Sequence, residues 1–210
     1  MRKLRILKHI LYAVLLGVSM AACLSQSDQP ETRPDTVATA GPSPVAAAEV
    51  AVQPDPASFV IEKGHVGNVR LGTLTEDLRQ HIPVGYTIAD TTLQQEGMQA
   101  TAYLLYPQNE TKGLLVEQVC EPACHVWRIA VHNPRYKTAK GIGIGSTFSE
   151  VQRAYPISYV SQGEGNFVAV VEEMGLSFVL DQSQLPKDKL TRIKPADVPG
   201  NTVVKSILVY

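Results

Sequence analysis

Two stretches of this chain align without a gap at an offset of 73 residues, so the fold has to accommodate the same local pattern twice. One runs from Val69 through Gly72 to Pro83, the other from Ile142 through Gly145 to Pro156. Each reads apolar, any residue, apolar, glycine, hydroxyl, then a short amphipathic segment that proline ends. Leu74, Leu78 and Ile82 have helical spacing in the first copy, and Phe148, Val151 and Tyr155 in the second. Thr75 with Asp77, and Ser149 with Glu150, supply hydroxyls and acids suited to helix starts. Three strand-like runs follow each helix: 100–106, 113–120 and 124–132, then 167–172, 175–180 and 203–210. The expected fold is therefore α+β: two tandem helix-plus-antiparallel-meander repeats, about 64–132 and 138–210. The helices would lie on one face of a sheet of about six to eight strands. Nothing suggests parallel crossover units.

This pattern, with Gly-[Ser/Thr]-x-x-x-[Glu/Asp]-[Val/Leu] at the helix start, resembles the β-lactamase-inhibitor-protein-like superfamily. That group includes the small lipoprotein of the outer-membrane β-barrel assembly machinery. Residues 140–156 carry most of the match. The resemblance implies a sheet surface or loops that bind another protein.

The chain begins differently. Arg2, Lys3, Arg5 and Lys8 precede an uncharged run from Ile10 to Ala22, which at 13 residues is too short to span a bilayer as a helix. A basic start, a short apolar core and small residues before a cut site make a secretory signal. The run ends Met20, Ala21, Ala22, Cys23, which resembles the bacterial lipobox. That resemblance implies acylation of Cys23, with chains such as palmitate, and anchoring by lipid. Leu24, rather than an acid, follows Cys23 and favours the outer membrane, facing the periplasm. Without residues 1–22 the chain holds 15 Lys+Arg against 20 Asp+Glu, a formal −5. There is no basic excess to neutralise phosphates, so no nucleic-acid partner is expected.

Residues 23–57 read as the acylated cysteine and a disordered tether. Residues 24–57 hold six of the fourteen prolines and no aromatic residue. The reach of this segment is roughly 30 Å as a coil and on the order of 100 Å extended. Residues 58–210 carry the remaining aromatics and enough chain for a core.

Candidate chemistry is sparse. Cys120 and Cys124 flank Glu121, Pro122 and Ala123, and a turn there would set the two thiols across a hairpin. In an oxidising compartment this favours a disulfide. The rival is a small-molecule or metal/redox-sensing domain using the corner of Cys120, Cys124 and His125. His125 and His132 are seven residues apart in one strand and fall on opposite faces. Gly141, Gly143 and Gly145 read as a tight turn into a helix, since the parallel unit of a dinucleotide site is missing. No nucleophile or paired-carboxylate motif appears, so neither enzyme activity nor a cofactor is expected.

Pairing outward from the cysteines sets Glu117 opposite Trp127 and Val116 opposite Arg128. Leu115, Val119, Trp127, Ile129 and Val131 then form the core side, with Glu117 a misfit among them. The opposite side carries Gln118, Arg128 and His132, and in the second half Val168, Val170, Ser177 and Val179. This open face is the expected docking surface for another envelope protein, with the 181–202 loop as the other candidate.

Acylation has a direct test. Cys23→Ala should leave uncleaved or soluble exported protein, read by detergent-phase partitioning. Partitioning equal to wild type would refute the anchor.

Overall fold

The computed structural model describes residues 54–95, 97–185, 190 and 193–210. The expected signal segment, Cys23, nearly all of the expected tether and part of the 181–202 loop lie outside them. Three short strands come first: β1 (Val60–Glu62), β2 (His65–Val66) and β3 (Val69–Arg70). Helix α1 (Thr75–Gln80) leads to β4 (Tyr86–Gln95), β5 (Met98–Pro107), β6 (Leu114–Cys120) and β7 (Cys124–Val131). Strand β8 (Lys137–Thr138) and helix α2 (Phe148–Ala154) precede β9 (Tyr159–Gly163), β10 (Asn166–Val171), β11 (Leu176–Leu180) and β12 (Val204–Val209).

The described residues form two sheets. One has four strands in the order β3-β2-β1-β8, and the other has eight in the order β4-β5-β6-β7-β12-β11-β10-β9. The protein is mostly β, which overturns the expected α+β arrangement of two helix-plus-meander repeats. The helices have six and seven residues, under two turns each, too short to carry a layer of their own. Much of the small sheet comes from 60–70 and 137–138, which showed no strong strand pattern.

The aligned motifs nevertheless meet similar backbone surroundings. The Gly72 amide donates to Val126 O (2.7 Å) and the Val126 amide to Thr73 O (2.9 Å). Likewise the Gly145 amide donates to Val204 O (2.9 Å) and the Val204 amide to Ser146 O (2.8 Å). Their likeness is local: each lengthens a central strand's ladder just before a short helix. The caps sit elsewhere than expected. Thr147, not Ser149, is the N-cap of α2, and its amide and hydroxyl both donate to Glu150 Oε2. In α1 the N-cap is Leu74, and the Thr75 hydroxyl donates to Cys124 O (3.4 Å). The second helix buries Phe148 and Val151 fully, whereas in the first only Leu78 of the apolar trio is buried.

One cluster of buried residues spans both sheets and both helices. The period-two pattern fills it: Phe167, Ala169, Val171, Leu176, Phe178 and Leu180 are all buried, on either side of the 3-10 turn Glu172–Met174. Phe59 packs on Tyr136 with ring centroids 5.0 Å apart, and the hydroxyls of Tyr86 and Tyr136 lie 3.2 Å apart.

Cys120 pairs with Cys124 across the β6–β7 turn and the two are joined as a disulfide, Cα atoms 3.9 Å apart. Both cysteines should resist alkylation until reduced, and reduction should cost about 2 kcal/mol of stability on the chain-entropy estimate. Mass spectrometry and denaturant melts check the two halves of this expectation.

Candidate functional site

The outer face of the eight-stranded sheet carries a trough whose geometry begins with one extra residue. From the disulfide inward, Cys120 faces Cys124, Val119 faces His125 and Gln118 faces Val126. The register then shifts, and Glu117 faces Arg128 rather than Trp127. Trp127 is a β-bulge residue, the second of two opposite one. The expected pairing is thereby corrected. Val116, Ile129 and Val131 face the core, while Leu115, Glu117, Arg128 and Ala130 share the outer face. Gln118 lies with the core side, where its Oε1 accepts from the Tyr103 hydroxyl (2.8 Å). Trp127 is 37% exposed and no core residue.

Glu117, a misfit in the unshifted pairing, has its place explained. Arg128 donates through Nε to Glu117 Oε1 and through Nη2 to Oε2, both at 2.8 Å, and the two side chains are almost fully buried. Nη1 donates to Glu164 Oε2 at 2.9 Å, yet the Glu164 side chain is 63% exposed. Burial alone would lower the Arg128 pKa, but its bonds to Glu117 and Glu164 outweigh that and hold it above its ordinary value. The guanidinium also lies over the Trp127 ring, 4.6 Å from its centroid. Glu164 and Gly165 form the β9–β10 turn with φ of 49° and 74°. Positive φ at both central residues is what a two-residue hairpin of type I′ requires.

Small side chains deepen the floor. Ala130, Ser177 and Ser206 lie beside Val179 on this face and are buried. The Arg128–Glu164 bridge crosses the trough between two clefts. The first, of about 620 Å³, includes Trp127, Tyr159, Val168, Val170, Ser177 and Tyr210 in its lining. The second, of about 690 Å³, includes Leu93, Met98, Leu115, His132 and Val179. Arg128, Glu164, Asn166 and Leu208 border both.

The structure thus brings the expected Arg128, Val168, Val170 and Ser177 to one cleft, and Arg128, His132 and Val179 to the other. Glu117 and Glu164 were not among the candidate site residues. The acid on an inferred core face was the available sign for Glu117; Glu164 had none beyond the Glu-Gly turn pair. At the other corner, His125 Nδ1 lies 3.1 Å from Ala123 O, and both neighbouring thiols are taken up in the disulfide. Among the described residues no group of three or more His, Cys, Asp or Glu side chains is arranged to hold a metal. The glycine run serves turns: Gly141 and Gly145 have φ of 77° and 89°, and a Cβ at Gly143 would meet Tyr136 O at 2.6 Å.

No protein-family model matches the chain, and no curated protein matches it in sequence. Among solved structures it is similar to the uncharacterized protein yfeY from Escherichia coli, at 15% identity and a TM-score of 0.52. The match covers 72% of this chain and 98% of that one. At that identity the likeness concerns the fold alone.

The buried ion pair has a consequence for stability. Arg128→Ala removes the cation from a buried Glu117. It should cost about 3–5 kcal/mol, whereas Glu164→Gln, at an exposed carboxylate, should cost under about 1 kcal/mol. Thermal melts of the two variants make the comparison.

Proposed function

We propose that this chain is a non-enzymatic lipoprotein of the bacterial envelope that binds another protein through the outer face of its eight-stranded sheet. The observation that supports docking most directly is the first cleft. It is a concave apolar strip along Val168 and Val170, ringed by Trp127, Tyr159 and Tyr210. Aromatic side chains beside apolar surface are what the buried centres of protein interfaces favour. Tyr159 and Tyr210 are 46% and 43% exposed, so burying them would release apolar surface from water.

The envelope setting rests on the basic, apolar and small-residue order of residues 1–22 and on Cys23. The acylated cysteine would hold the domain to the outer membrane on the periplasmic side, with residues 24–57 as its tether. A partner would then be met within the reach of that tether. No enzymatic step is assigned to the trough.

A photoreactive residue at Val168 tests the docking reading in the native envelope. It should give a discrete cross-linked adduct, lost on Val170→Lys while the melting temperature stays within a few degrees of wild type. An adduct retained by the folded Val170→Lys protein would place the interface elsewhere.

A further inference from the structure

The second cleft has chemistry that protein docking on the first does not use. Arg128 cannot shed its charge and is buried, so each of its donor directions needs an acceptor. Glu117 fixes Nε and Nη2 with both carboxylate oxygens, which orients the guanidinium plane. The acceptor at Nη1 is of another kind. Glu164 reaches it from a solvent-facing turn, and its carboxylate can return to water at little cost. The buried Glu117 carboxylate cannot. Around that exchangeable bond the cleft is mixed: Leu93, Met98, Leu115, Val179 and Leu208 supply an apolar strip beside the polar Gln94, His132, Asn166 and Ser206. Met98 is 71% exposed, an adaptable side chain left on open surface. The volume of about 690 Å³ falls in the range of small-molecule sites.

We propose that the second cleft binds an amphiphilic monocarboxylate, whose carboxylate replaces that of Glu164 on Arg128 Nη1 while its apolar chain lies along Leu93, Met98 and Val179. Glu164 is then an internal competitor occupying the anion position in the empty protein. A neutral amphiphile of the same length cannot displace it. This inference goes beyond the docking reading and does not rest on it.

Trp127, the only tryptophan of the chain, reports on the site through its contact with the Arg128 guanidinium. The full chain, held in one fixed detergent, is titrated with octanoate and separately with 1-octanol while Trp127 fluorescence is read. Octanoate should give a saturable change and octanol none or a far weaker one. Glu164→Gln should tighten octanoate binding about two- to fivefold, because the competing ion pair is gone. Met98→Asp, at an exposed wall position, should weaken it by at least about threefold through like-charge repulsion. Equal binding of octanol, no saturable response to octanoate, or unchanged or weaker binding by Glu164→Gln would each overturn the proposal. Val170→Thr, in the first cleft, should leave octanoate affinity within about twofold. A loss there comparable to that of Met98→Asp would put the ligand in the wrong cleft and overturn it as well.

Discussion

One inserted residue determines which side of the central strands becomes core. Without Trp127 as an extra residue, Glu117 and Arg128 would fall on opposite faces of the β6–β7 ladder. Whichever face was then buried under the helices, one of the two charges would enter the core without the other. An uncompensated buried charge costs several kcal/mol. With the bulge, the two meet directly across the strands on the outer face, and Val116, Ile129 and Val131 are delivered to the core. The register of the central strands and the polarity of the trough floor are thus one decision.

The concavity follows from the same kind of irregularity. A second register shift lies between Val179 and Leu180 on β11, where Val204 and Ser206 of β12 take the partners and Lys205 is passed over. Bulges bend a strand and sharpen its twist, and here they fall on the neighbouring strands β7 and β12. Beside them the outer face carries Ala130 on β7, Ser206 on β12 and Ser177 on the adjoining β11. Curvature sinks the small Ser177 side chain among its larger neighbours on this face, and it is only 2% exposed. Larger residues at these positions would fill the trough, and a flat sheet would expose them.

What could be read in advance followed the physics of each signal. The inward alternation of Phe167, Ala169 and Val171 against Leu176, Phe178 and Leu180 was legible because burial on one face writes a period of two into the sequence. The cysteine-closed turn was legible from its spacing. Strands β4 and β9 were not recognised, and both are edges of the large sheet, where polar residues such as Asp90, Thr91 and Ser161 are tolerated. The repeated glycine-hydroxyl motif was real as a local pattern but misled at the level of fold. Two short helices were weighted as a layer, when the two sheets hold most of the regular structure among the described residues. The Trp127 bulge had no residue signature of its own. Its trace was the misplaced Glu117, since an acid in an apolar row points to a shifted register as readily as to a buried charge.

The bulge is held from both ends. On one side the Cys120–Cys124 bond closes the turn, and three cross-strand pairs lead from it to Gln118 and Val126. On the other, the bidentate contact between Glu117 and Arg128 locks the first pair beyond the bulge. A slip of one residue between them would either stretch a covalently closed turn of three residues or send a charge into the core. Buried ion pairs often add little net stability against apolar replacements, so specificity of register is the stronger reason for this one to exist. The consequence reaches the surface. The guanidinium that borders both clefts is fixed by the same two constraints that fix the ladder, while its third partner, Glu164, belongs to a turn outside them. The trough therefore combines a cation fixed by strand pairing deep in the sheet with an anion supplied by a turn at its rim.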